Sequence, residues 1–155
     1  TQTVVRLTNA IQQGPSSSCK FILMGSDGVA VPGDDRRTLM ERSVICLLRY
    51  LINPHIDNEQ AAAHLFKEEN KTTLQWSIVR PTDLQDGPVS KYQVFPKPQG
   101  SLFGGGKIAT RANVAKFMTA LILEDDTWKQ WVHKAPSLQD LEPPASASTG
   151  SKKGD

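Results

Sequence analysis

Two short apolar runs end abruptly in polar, glycine- or proline-containing residues. One is Phe21–Met24 in the stretch KFILMGSDG, and the other is Gln75–Val79 in LQWSIVRPTDL. Unbroken apolar runs of this length predict strands buried on both faces. The long stretch between them predicts a crossover, which antiparallel neighbours do not need. The two runs are therefore expected to be adjacent and parallel, joined right-handedly through two helices. The first of these spans Arg36–Ile52, where Met40, Val44, Leu47, Leu48 and Leu51 share one face. Asn53-Pro54 breaks it, and a second helix is expected from Ile56 to Glu69, with Asp57 as N-cap. Val4–Ile11 reads as a helix stopped by Gly14-Pro15. Further on, Tyr92–Phe95 alternates like a short strand, and Lys107–Ala109 suggests another. Thr110 opens a helix with Val114, Phe117, Met118, Leu121 and Ile122 on one stripe, and Trp128–Val132 should close its end.

The pattern predicts an α/β fold with helices around a parallel sheet, occupying residues 1–136. Beyond this, residues 137–155 are expected to be a disordered tail, because Pro, Ala, Ser, Gly and Lys dominate without an apolar repeat. A net charge of +2 on 155 residues gives no basic field that would select nucleic acid or an anionic membrane. No apolar run reaches the length of a membrane span. Cys19 and Cys46 form no C-x-x-C and suggest reduced, packed thiols of a cytoplasmic protein.

In open α/β sheets, ligands bind at the carboxyl ends of the strands. That rule selects the candidate site. Gly25 and Ser26 follow the first run, and Arg80, Pro81 and Thr82 end the second. Ser26 could orient a carbonyl substrate by hydrogen bonding, or serve as an ordinary turn serine. Pro81 cannot donate to a strand ladder, so backbone groups freed there could meet a ligand, or the strand could simply stop. His55, beside the Asn53-Pro54 break, could line a pocket or cap a helix. His64 and His133 read as boundary and packing residues, and the three histidines show no metal-ligand spacing. Gly104-Gly105-Gly106-Lys107 fails as a phosphate loop. The window lacks the first glycine and the hydroxyl residue after the lysine, so a turn is expected.

In order and spacing, KFILMGSDG, NPHIDNEQAAAHL, LQWSIVRPTDLQDGPVSKY and KIATRANVAKFM resemble the second half of an atypical short-chain dehydrogenase/reductase. The nearest group is the NAD(P)-binding set of NmrA-like and biliverdin-reductase-B-like proteins. The resemblance covers about Thr1 to Pro136 and implies a Rossmann-like, doubly wound parallel sheet. It implies Gly25 and Ser26 at the active-site serine position, and Arg80, Pro81 and Thr82 beside the nicotinamide. The family's Tyr-x-x-x-Lys falls on His55-x-x-x-Glu59, so both catalytic residue types are replaced. Glu59 cannot supply the positive charge that lowers the tyrosine's pKa, although His55 could donate a proton. The family's G-x-x-G-x-x-G turn is not in this sequence, so its first strands are expected to be missing. NAD(P) is then the cofactor of the complete parent, with binding by this chain alone not expected to be tight. Three readings stay open: an NAD(P)-dependent oxidoreductase acting on a small molecule, a non-catalytic dinucleotide-sensing regulator, or an inactive fragment.

Overall fold

The two apolar runs pair as neighbours. β1 (Lys20–Met24) lies parallel to β2 (Gln75–Pro81), with Phe21 opposite Trp76 and Met24 opposite Val79. The computed structural model describes residues 1–14, 19–34, 38–41, 43–44, 53–68, 74–99 and 107–141. On its other side β2 pairs in parallel with β6 (Ser137–Asp140), which pairs antiparallel with β4 (Tyr92–Phe95). The sheet order is thus β1-β2-β6-β4. A second, two-stranded parallel ladder joins β3 (Asp83–Gln85) to β5 (Ile108–Thr110).

Strand alternation sorts the core into two layers. Phe21 and Leu23 of β1, with Trp76 and Ile78 of β2, face α1 (Gln2–Gln13) and α2 (Asn53–Glu68). Ile22, Val79 and Leu138 face the opposite layer of α3 (Arg111–Leu123) and α4 (Asp125–Trp131), where Val114, Phe117, Leu121, Trp128 and Trp131 are buried. Helices on both faces explain why the β2 run is apolar rather than alternating. The α/β architecture with a largely parallel sheet is the one its sequence predicts.

Local chemistry fixes the element ends. Thr110 caps α3, its side chain accepting from the Asn113 N–H at 3.2 Å. At the other end of α3, Lys20 Nζ donates to the Ile122 carbonyl at 2.9 Å, placing a cation against the negative end of the helix. α1 and α2 run side by side, with Thr1 Oγ1 donating to the Asp57 carbonyl and Thr8 Oγ1 within 3.0 Å of His64 Nε2.

Four expectations need correction. α2 already includes Asn53, so Asn53-Pro54 does not break the helix there and Asp57 lies inside it. Upstream, residues 39–41 and 43–44 are helical, and Thr38 and Glu41 form a reciprocal capping box. This start lies past Arg36; most of Arg36–Ile52 lies outside the described residues. The folded part also extends beyond Pro136. Ser137–Asp140 is a strand between two others, with Leu138 fully buried. Residues 142–155 lie outside the described set. Finally, Cys19 is exposed rather than packed, and Cys46 falls outside the described residues.

Candidate functional site

Parallel pairing delivers the ends of β1 and β2 to one edge of the sheet. Gly25 N–H donates to the Val79 carbonyl at 2.8 Å, and Asp27 N–H to the Pro81 carbonyl at 3.1 Å. These bonds set Gly25 across from Arg80, Ser26 across from Pro81 and Asp27 across from Thr82. A Cβ at position 25 would come within 3.3 Å of Ile78 Cγ2 and 3.7 Å of Arg80 Cγ. Glycine there lets the two side chains from β2 rise beneath the strand end.

Pro81 does not end the ladder, contrary to the simple reading of its sequence. In this register its nitrogen faces the Gly25 carbonyl and has no hydrogen to give. One rung is skipped. The ladder then continues through Asp27 N–H to Pro81 and through Thr82 N–H to the Leu138 carbonyl at 3.1 Å. Pro81 itself is buried, and β6 flanks it with Leu138 in register.

The side chains divide between frame and edge. Arg80 is fully buried. Its Nη1 and Nη2 make a bidentate pair with Asp34 Oδ2 and Oδ1 at 2.6 and 3.0 Å. Nε donates to the Ala135 carbonyl at 2.8 Å, and Nη1 also to the Val29 carbonyl at 3.2 Å. The guanidinium therefore pins the loop after β1 to the end of β2. Thr82 is buried too, and its hydroxyl donates to the Leu138 carbonyl at 3.4 Å. Ser26 is different. Its Oγ accepts from Gly28 N–H at 3.2 Å, the bond of a turn serine. That bond uses an oxygen lone pair and leaves the hydroxyl proton without an acceptor among the described residues.

His55 lies in the first turn of α2, and its side chain is outside the described set. Late in α2, Phe66 packs edge-on against Trp76 near the start of β2, with ring centroids 4.9 Å apart. The helix therefore runs opposite to the strand, and its first turn lies toward the carboxyl edge. His64 bonds Thr8, as a boundary residue. His133 packs beside Trp76 with Nε2 at 3.0 Å from the Leu74 carbonyl, as a structural residue.

The sequence reading missed a polar clamp behind β3 and β5. Asn113 is fully buried; its Nδ2 donates to Ser90 Oγ and Asp140 Oδ1, both at 2.8 Å, and its Oδ1 accepts from Ser90 N–H at 2.9 Å. Asp140 Oδ2 accepts from Thr110 N–H at 3.0 Å. This network ties the loop before β4 to the ends of β5 and β6. Its signal was the asparagine set among apolar residues in RANVAKF. Asp34 was also missed, and nothing in Asp34-Asp35 singles out the first carboxylate.

An open groove of about 510 Å³ lies away from this edge, between β4, α3 and α4, lined in part by Tyr92, Phe117, Leu123, Glu124 and Trp131. Burial, helped by the Glu124 charge, pushes the Tyr92 hydroxyl above its ordinary pKa. Among the described residues, no group of three acidic, histidine or cysteine side chains could hold a metal ion. No helix among them is long and apolar enough to cross a membrane.

Known proteins place this geometry. No curated protein matches the chain. Among solved structures, a provisionally assigned NAD-dependent epimerase/dehydratase from Bacillus halodurans is 20% identical, with a TM-score of 0.52 over 92% of this chain and 53% of that one. A protein from Lactobacillus casei superposes with a TM-score of 0.60 at 16% identity, covering 90% of this chain and 61% of its own. A provisionally assigned NADH-flavin reductase from Streptococcus pneumoniae gives 0.57 at 13% identity, over 90% of this chain and 62% of that one. The chain thus spans between half and two thirds of these proteins' length. At such identities the likeness is one of fold: a Rossmann-like α/β sheet. Residues 4–125 match the model of the NAD(P)H-binding family, well over half of the sequence, and the chain belongs to that family.

Proposed function

We propose that this chain forms the substrate- and nicotinamide-facing part of an NAD(P)-dependent oxidoreductase of the atypical short-chain dehydrogenase/reductase type. The observation that carries the reading is the shared carboxyl edge of β1 and β2, in a chain of the NAD(P)H-binding family. The residues present fit one end of a dinucleotide. Gly25, Ser26 and Pro81 offer a small-residue rim, a hydroxyl proton without an acceptor among the described residues, and a carbonyl relieved of its ladder partner. They do not offer a glycine-rich turn leading into a helix for the pyrophosphate.

Bound NAD(P)H would supply a hydride. Ser26 would hold the oxygen of a carbonyl-type acceptor by donating its hydroxyl proton, and His55 would stand near the same edge as a proton source. Arg80 and Thr82 act from behind in this scheme, holding the strand ends in place. The rival reading, a dinucleotide sensor without turnover, is favoured by one feature. His55 and Glu59 stand where the resembling enzymes carry tyrosine and lysine.

The two readings separate experimentally. The protein is titrated with NADPH to millimolar concentration while amide NMR shifts are followed. Shifts at Gly25, Ser26 and Asp27 are expected. Their absence would refute the site. Loss of reduced-nicotinamide absorbance is then followed with a panel of quinones, flavins and carbonyls. Turnover that falls about a hundredfold in Ser26→Ala supports the enzyme; shifts without turnover support the sensor.

A further inference from the structure

Among the described residues, one ammonium nitrogen, that of Lys107, is buried without a hydrogen-bond partner or counter-charge. Lys107 precedes β5, and the parallel register of β3 with β5, Asp83 opposite Ile108, sets it across from Thr82 at the end of β2. Its Nζ is shielded from solvent and finds no hydrogen-bond partner among the described residues. A lysine has four methylenes with which to carry its charge out to water, and near a surface it normally does so. A buried ammonium left unpaired is among the costlier arrangements a fold can hold.

The neighbouring carboxylates do not serve it. Asp140 spends one oxygen on Asn113 and the other on the Thr110 N–H. Asp86 pairs with Arg111 at 2.8 Å. Asp83 forms no ion pair among the described residues and is exposed, while Lys107 Nζ is not. Among the described residues, no carboxylate is left to neutralise it.

We infer that Lys107, across from the end of β2, is an anion-binding residue, pairing its ammonium with an oxyanion, phosphate or carboxylate, carried by a bound ligand. Such a pair is charge-assisted, and its strength rises because the ammonium is already desolvated. The inference does not rest on cofactor binding, since a simple anion suffices to test it.

Thermal melting is followed as inorganic phosphate or acetate is added at constant ionic strength. The wild-type protein should show a saturable rise in Tm. Lys107→Met, close in length but uncharged, should melt at or above the wild-type temperature without anion, and should lose the saturable rise. Lys107→Arg should keep it. The apparent phosphate affinity should weaken about tenfold or more in the methionine variant. A methionine variant that melts lower without anion would show that the ammonium already has a partner, and would overturn the inference. So would an unchanged phosphate response, or no saturable response in the wild type. Competition identifies the source of the anion. Displacement of phosphate by NADP⁺ but not by NAD⁺ assigns it to the cofactor's ribose phosphate. Displacement by neither assigns it to the substrate. Failure of both dinucleotides to bind would refute the oxidoreductase reading and leave the Lys107 site standing.

Discussion

Replacing Asp34 by alanine should be among the most damaging single changes outside the apolar core. The carboxylate is 10% exposed and its partner Arg80 1% exposed, measured on their side chains. Truncation removes both arms of a bidentate pair and leaves a guanidinium in a space built to exclude water. The two remaining acceptors, the Val29 and Ala135 carbonyls, are neutral and already used. Breaking a buried pair from one side costs about 3–5 kcal/mol. For a domain of this size, each kcal/mol shifts Tm by about 2–4 °C, so a fall of roughly 6–20 °C is expected. The carboxylate also accepts from Val31 N–H at 3.0 Å, so the loop after β1 should loosen with it. Urea denaturation gives the free energy, and amide exchange at Val29 and Val31 reports the loop. The control is Asp34→Leu with Arg80→Met, which removes both charges together. It should recover most of the loss, because an apolar pair of similar volume is often neutral or stabilising. A loss below about 1 kcal/mol in Asp34→Ala, the range of solvent-screened surface pairs, would refute the assignment of this pair as a buried pin.

Asn113→Ala should cost about 3 kcal/mol in urea denaturation, since Ser90 and Asp140 lose their partner in a buried network; Asn113→Asp should not restore it, because an ionised carboxylate cannot donate to Asp140. Stability should fall as pH rises above about 10, the ordinary tyrosine range. The Tyr92 hydroxyl ionises later in the folded state than in the unfolded one, so ionisation favours unfolding until the folded group also titrates. Tyr92→Phe should flatten that part of the pH profile, and an unchanged slope would count against the assignment. Deleting residues 142–155 should leave Tm unchanged, because Leu141 is the last large apolar residue in the sequence; a drop of several degrees would show that the segment docks.

What the sequence disclosed depended on how much each element carried its own signal. β1, β2 and α3 announce themselves, because WSIV and the stripe from Val114 to Leu121 pack into the core by local pattern alone, while FILM, on the edge strand, is only partly buried and Met24 is exposed. β6 does not. Ser137–Asp140 contains a single large apolar side chain and follows a proline, and it becomes a strand because β2 and β4 supply ladders on both sides. Asn53-Pro54 was read as a break because proline seldom continues a helix, yet both residues lie within α2. At the candidate site, the strand-end rule located Gly25, Ser26, Pro81 and Thr82 on one edge. It could not tell which side chains turn inward. The inward turn of Arg80 depends on Asp34, forty-six residues earlier, meeting it across a loop.

The edge is organised from beneath. Arg80, Thr82 and Asn113 are buried side chains that spend their polar atoms on the protein itself. None of them depends on a ligand for satisfaction, so the edge they hold is rigid before anything binds, which lowers the ordering cost of binding. Beside that frame, three groups have no partner among the described residues: the Ser26 hydroxyl proton, the Gly25 carbonyl that Pro81 cannot serve, and the Lys107 ammonium. A donor, an acceptor and a cation make a set that a polar, anionic ligand can use. In the proposed site, the satisfied residues would form the frame, and the groups left without partners among the described residues would meet the ligand.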